Sequence, residues 1–190
     1  AGTTIFKRFN LSNSSNVSNL VVYNGFLFFT ANDGTGNAFW KTDGTDLGTV
    51  KISNIVPNEY VKYNSLLYFR ANDGINGSEL WVTDGTPTGT QMAFDLNSGS
   101  ASSAPTNMTV YNGLMYFRAN NETNNFELWT SDGTLAGTSK LKEINPNASS
   151  DPSRFKVYNN LLYFSANDGT TGAELWVTDG TSNGTTIVED

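Results

Sequence analysis

Asp73 and Glu79 stand six residues apart across a glycine-bearing turn, and Asp168 and Glu174 repeat the arrangement later in the chain. Asn72 and Asn167 precede the two aspartates and add amide oxygens. A tight loop that offers only oxygen ligands suits a hard divalent cation, Ca²⁺ above all. Asp73, Glu79, Asp168 and Glu174 are therefore the metal-ligand candidates. The competing reading is a hairpin whose Asp or Asn caps its own backbone, for which Asn-Asp-Gly needs no ion. The same loops supply Asn72, Asp73, Asn167 and Asp168 as candidates for holding a ligand. Tyr60 and Arg154, at the start of the second and fourth copies of a repeat described below, join them.

Other chemistries are excluded by composition. The chain has no His and no Cys. Thiolate nucleophiles, imidazole acid–base catalysis and zinc sites of the usual kind are therefore impossible. A pair of carboxylates can cleave a glycosidic bond. Every carboxylate that can be placed here belongs to the repeat, however, so no enzyme is expected. The net charge of −7 repels a phosphate backbone, and no Lys/Arg cluster offsets it. Nucleic acid is not an expected partner, and an anionic membrane surface is disfavoured for the same reason. No apolar run is long enough to span a bilayer, so membrane insertion is not expected either.

These residues belong to a repeat. Trp40, Trp81, Trp129 and Trp176 recur at intervals of 41, 48 and 47 residues. A period of that size with strand-like content points to propeller blades or a stacked array. In the second copy, 58–63 (NEYVKY), 66–71 (LLYFRA), 79–83 (ELWVT) and 90–96 (TQMAFDL) read as four short strands, a to d, divided by Asn/Asp/Gly turns. Leu67, Phe69 and Ala71 oppose Leu66 and Tyr68, and Leu80 and Val82 oppose Trp81. Both faces are apolar, so each sheet is expected to lie between neighbours. The tryptophans then serve packing rather than sugar stacking. Asp43, Asp84, Asp132 and Asp179 open a recurring Asp-Gly-Thr turn, read as an Asx turn that locks strands c and d. A meander puts the a–b and c–d turns at one end and the b–c loops and d–a linkers at the other. The linkers vary most, and variable segments on a rigid scaffold are a common binding surface.

The expected fold is all-β: a four-bladed β-propeller of four-stranded antiparallel blades, over about 17–55, 58–96, 106–144 and 154–190, within one domain of 1–190. A fifth strand-d sequence at Thr3–Phe9 adds an extra outer strand within residues 1–10. It closes the last blade or pairs with another molecule, so the alternatives are an open stack of the same sheets or a strand-swapped oligomer.

ELWVTDGTPTGT at 79–90, ELWTSDGTLAGT at 127–138 and ELWVTDGTSNGT at 174–185 resemble the bacterial ELWxxDGTxxGT repeat family. AFWKTDGTDLGT at 38–49 departs from it with Ala38 and Phe39. The resemblance implies a secreted or surface-attached bacterial protein of repeat-built β architecture. In architecture alone the chain is similar to the hemopexin-like propeller and to tachylectin-type lectins, and the Asp-Gly-Thr turn to the sialidase Asp box. The function expected first is a non-catalytic extracellular module that recognises a glycan or a protein through the b–c loops and linkers, assisted by Ca²⁺. The alternative is a structural, self-assembling subunit of a bacterial surface layer, adhesin or filament.

Overall fold

The computed structural model describes residues 7–121 and 125–189. They form four four-stranded antiparallel sheets, each a meander in chain order. The first sheet holds β1 (Ser18–Tyr23), β2 (Phe26–Asn32), β3 (Asn37–Thr42) and β4 (Val50–Ser53). The second holds β5 (Asn58–Tyr63), β6 (Leu66–Asn72), β7 (Ser78–Thr83) and β8 (Gln91–Phe94). The third holds β9 (Thr106–Tyr111), β10 (Leu114–Ala119), β11 (Glu127–Ser131) and β12 (Ser139–Lys142). The fourth holds β13 (Ser153–Tyr158), β14 (Leu161–Asn167), β15 (Ala173–Thr178) and β16 (Thr186–Glu189). The all-β, propeller-like fold class expected from the repeat is the one observed. The spare strand expected at Thr3–Phe9 falls mostly outside the described residues.

Local chemistry fixes the strand ends. Each a–b hairpin turns through two left-handed residues, at Asn24-Gly25 (φ 47° and 78°), Asn64-Ser65 (45° and 59°), Asn112-Gly113 (47° and 77°) and Asn159-Asn160 (47° and 58°). That is the type I′ turn, whose twist matches the paired strands. Serine tolerates this region poorly. Ser65→Gly is therefore expected to stabilise the chain by about 0.5–1 kcal/mol, read as a raised urea midpoint with unchanged slope. Strand d is shorter than the sequence suggests, 91–94 rather than 90–96. The Thr90 hydroxyl turns back to the Thr86 carbonyl at 2.7 Å, and the Leu96 amide donates to Glu79 at 3.1 Å instead of to a strand.

The chain divides into two compact units, Ala1–Asn72 with Trp81–Gln91, and Asp73–Leu80 with Met92–Asp190. In the first, Phe39 packs on Phe28, Phe69 and Tyr60 at ring separations of 5.5, 5.6 and 6.5 Å. Phe9 closes the other side of the first sheet, 5.4 Å from Phe29 and 5.0 Å from Trp40. In the second unit, Tyr111, Tyr116, Leu128 and Ile144 form one core with Leu162, Phe164, Ala166 and Trp176 of the fourth sheet. Both units use the same sheet-to-sheet joint. The Tyr23 hydroxyl donates to the Ser65 carbonyl at 2.6 Å, and the Tyr111 hydroxyl to the Asn160 carbonyl at 2.8 Å. A Cβ on Gly85 would lie 3.1 Å from the Phe28 ring, and one on Gly180 would lie 2.8 Å from the Tyr116 hydroxyl. Gly85 and Gly180 thus seat against aromatic residues of the preceding sheet.

The expectation that all four sheets bury both faces fails at the fourth. Leu162, Phe164, Ala166, Trp176 and Thr178 are buried, but Tyr158 is 63% and Leu175 50% exposed. Their counterparts in the third sheet, Tyr111 and Leu128, are 5% and 0% exposed. The difference is positional: within the second unit Leu128 shares a core with Leu162 and Phe164 of the fourth sheet, whereas Leu175 is half exposed.

Candidate functional site

The Asp-Gly-Thr turn is the most regular polar feature, and its geometry accounts for each fixed residue. Asp84 Oδ1 accepts from the Thr86 amide at 2.8 Å and the Thr86 hydroxyl at 2.7 Å. The Thr86 hydroxyl oxygen accepts from the Gly89 amide at 3.0 Å. Thr83 Oγ1 lies 2.6 Å from Thr90 Oγ1 and accepts from the Gly85 amide at 2.9 Å. Gly85 needs φ 93°. A Cβ on Gly89 would sit 2.1 Å from the Asp84 carboxylate, so only glycine fits. Asp43, Asp132 and Asp179 make the same contacts with Thr45, Thr134 and Thr181. The turns are structural clamps, as the sequence suggested.

These contacts have a titration signature. The threonine hydroxyl, then the threonine amide, holds each of Asp43, Asp84, Asp132 and Asp179 below the ordinary aspartate value of 3.8. A carboxylate with a depressed folded pKa stabilises above its unfolded value and loses that contribution as pH falls. The melting temperature is expected to drop as pH is lowered below about 4, with an Asp179→Asn variant showing a shallower decline.

The predicted site residues lie at the other end of the sheets, and their polar atoms are largely committed. Asp73 Oδ1 accepts from the amides of Ile75 and Asn76, both at 2.8 Å, and Asp73 Oδ2 accepts from Asn76 Nδ2 at 2.7 Å. Asp168 Oδ1 accepts from the Thr170 amide at 2.9 Å and its hydroxyl at 2.7 Å. Asn167 Oδ1 accepts from the Gly169 amide at 2.7 Å, and Asn72 is exposed at the end of β6. The backbone amides lower Asp73, and the Thr170 hydroxyl lowers Asp168. Tyr60 lies in the aromatic core with its hydroxyl buried and unpartnered, and burial raises its pKa. Among the described residues no group of three or more acidic side chains converges.

Glu79 serves a different partner from Asp73. It is fully buried and accepts from the Ser103 amide at 2.6 Å, the Ser103 hydroxyl, and the Leu96 amide at 3.1 Å. Glu127 repeats this with the Ser150 amide at 3.2 Å, the Ser150 hydroxyl at 2.7 Å and the Ile144 amide at 3.0 Å. Each glutamate pins the linker that follows its own sheet. The serine before each donor braces the same junction, since Ser102 Oγ accepts from the Ser78 amide at 2.8 Å and Ser149 Oγ from the Phe126 amide at 2.9 Å. These serines are not among the residues expected from the repeat motif. Their signal was present: 101–105 reads ASSAP and 148–152 reads ASSDP, while the first repeat has Ala38 in place of Glu and a short linker at 55–57 without a serine pair.

Glu174 has no such partner among the described residues. It lines an open cleft of about 300 Å³ on the uncovered face of the fourth sheet with Arg154, Lys156, Tyr163 and Leu175. Arg154 and Glu174, two predicted residues from different strands, come together there. The cleft joins an aromatic ring, an aliphatic side chain, Ser165 and charges of both signs, a combination suited to binding.

No family model and no curated protein sequence matches the chain. Solved structures do match in fold. The chain is similar to puromycin hydrolase, with 14% identity and a TM-score of 0.61 over 92% of this chain and 31% of that one. A mutant of that enzyme complexed with PGG gives 14% identity and a TM-score of 0.57, over 86% and 29% of the two chains. An alpha-L-arabinofuranosidase from Clostridium thermocellum gives 18% identity and a TM-score of 0.44, over 93% and 73%. The chain thus spans about a third of puromycin hydrolase, and at these identities the likeness concerns the fold alone.

Proposed function

We propose that the chain is a non-catalytic structural module of an extracellular or cell-surface protein, one that assembles by stacking repeat sheets. One observation carries this reading: the fourth sheet presents to solvent the face that its third-sheet counterpart buries, with Leu175 50% exposed against Leu128 at 0%. A sheet face left open with Tyr158 and Leu175 exposed among charged side chains is suited to docking. The non-catalytic part is supported by the commitment of the rim carboxylates to their own turns and linkers. The extracellular setting follows from the resemblance to the ELWxxDGTxxGT repeats.

Light scattering over a concentration series tests the reading. Particles heavier than the 20.6 kDa chain, growing with concentration, are expected. A single monomeric species at every concentration would overturn it. Added chelator is expected to change nothing, because Asp73 and Asp168 already have their hydrogen-bond partners. A second reading, glycan recognition, is favoured by the cleft itself, where Arg154, Tyr163 and Glu174 adjoin. It requires binding on a glycan array that disappears in Tyr163→Ala.

A further inference from the structure

The fourth repeat departs from the other three at positions that meet in one cleft. Strand register aligns Arg154 with Asn19, Glu59 and Asn107, and Lys156 with Val21, Val61 and Thr109. It aligns Ser165 with Thr30, Arg70 and Arg118. The first strand of this repeat thus gains two cations, and the second carries a short side chain where two other copies carry arginine. Arg154, Lys156 and Ser165 all line the cleft with Tyr163, Glu174 and Leu175. Arg154 is also held in an uncommon backbone. It has φ 60° at the bulge of β13, a conformation that the first and third repeats give to Asn19 (53°) and Asn107 (56°). Asparagine enters the left-handed region readily and arginine does not. Bulges re-aim side chains beside binding sites. Arg154 and Lys156 make no ion pair among the described residues, whereas Lys7, Lys51, Arg118 and Lys140 each have a carboxylate partner. In a chain of net charge −7, two unpaired cations share one cleft.

The lining is ordered by strand. Arg154 and Lys156 stand on β13, Tyr163 and Ser165 on β14 between, and Glu174 and Leu175 on β15. The cationic and anionic edges are therefore two strand spacings apart, about 10 Å. A guanidinium presents two parallel donors to a planar carboxylate. The Tyr163 ring adds flat apolar area with a polar tip, and a glutamate accepts from hydroxyls. We propose that this cleft binds an acidic glycan, an oligosaccharide of hexuronic acid. Its carboxylate lies on Arg154 and Lys156, a sugar ring lies against Tyr163, and ring hydroxyls donate to Glu174. The cleft of about 300 Å³ is at the lower end of ligand sites, so it takes a short segment of the glycan. This rests on the glycan reading above and gives that ligand its charge class. Glycan and stacked sheet compete for the same face.

Calorimetric titration of the chain with trigalacturonate tests the assignment. A dissociation constant below about 1 mM is expected, weakening as salt is added. The fully methyl-esterified trisaccharide keeps the rings and loses the charge, and it is expected to bind at least about tenfold more weakly. Arg154→Asn, Lys156→Val and Ser165→Arg each bring in a residue that another repeat carries at that position, so all three are expected to fold. Each is expected to weaken trigalacturonate binding at least about tenfold, and Arg154→Asn to do so while raising the melting temperature, since asparagine suits the left-handed backbone. If ester and acid bind alike and Tyr163→Ala abolishes both, the charge assignment falls while the glycan reading stands. If neither trisaccharide binds, the proposal falls, and the glycan array decides the broader reading separately. Tetraglutamate binding as tightly as trigalacturonate would make the cleft an acidic-peptide site and overturn the proposal, as would variants that bind like the unmodified chain.

Discussion

Glu79→Ala is expected to destabilise the chain by about 3 kcal/mol or more, while Glu174→Ala, at the same place in the same motif, should change the monomer's stability by less than about 0.5 kcal/mol. The asymmetry follows from partners. Removing Glu79 strands three donors: the Leu96 amide, the Ser103 amide and the Ser103 hydroxyl, the last two on a fully buried serine. A buried donor without an acceptor costs about 1–3 kcal/mol, and entering water recovers part of that sum. Glu79→Gln keeps the shape but turns an amide NH₂ toward donors, so an intermediate loss is expected. Urea unfolding followed by tryptophan fluorescence reads all three. Burial also raises Glu79 and Glu127 above the usual glutamate value of 4.5. A carboxyl with a raised folded pKa contributes stability fully below its unfolded value and loses it as pH rises through the folded one. Glu79→Gln should therefore remove a decline in stability above about pH 4.5. Equal losses for Glu79→Ala and Glu174→Ala would show that the linker is not held in this way.

What was legible in the sequence was local. The spacing Asp-Gly-Thr-x-x-Gly-Thr encodes a turn in which each fixed residue touches another within seven positions, so its role could be read from Asp84 alone. The strand periodicity around Leu67, Phe69, Leu80 and Trp81 was legible for the same reason. Two things were not local. Glu79 lies 24 residues from Ser103, and a pairing of that range appears only if the ASSAP and ASSDP linkers are set beside the glutamate of the preceding strand. Read in isolation, Glu79 looked like the second carboxylate of a cation loop. The other was the inequality of the repeats. Leu175 and Leu128 occupy identical positions in identical tripeptides, and motif comparison ranks them alike. Their burial differs because burial belongs to whatever lies on the next face.

The same distance argument makes Gly77→Ala the most damaging single methyl in the chain. Gly77 has φ 72°, and a Cβ there would stand 1.9 Å from the Ala101 carbonyl oxygen and 2.6 Å from its carbon. The obstacle is backbone, so no rotamer relieves it. The linker must lift away from the start of β7, taking with it the Ser102–Ser78 and Ala104–Ser78 hydrogen bonds of 2.8 and 2.9 Å. A loss of about 4 kcal/mol is expected, of which the left-handed backbone accounts for about 1–2. Gly172 separates the two terms. It fills the same loop position in the fourth repeat with φ 101°, but a Cβ there would meet nothing within 4 Å. Gly172→Ala should therefore carry the backbone cost alone. Unfolding midpoints of the two variants measure the difference, and hydrogen exchange at the Ser103 and Ala104 amides should rise only in Gly77→Ala. Equal midpoints would mean that the linker does not rest on Gly77, and the clamp of Ser102, Ser103 and Glu79 would lose its closest contact.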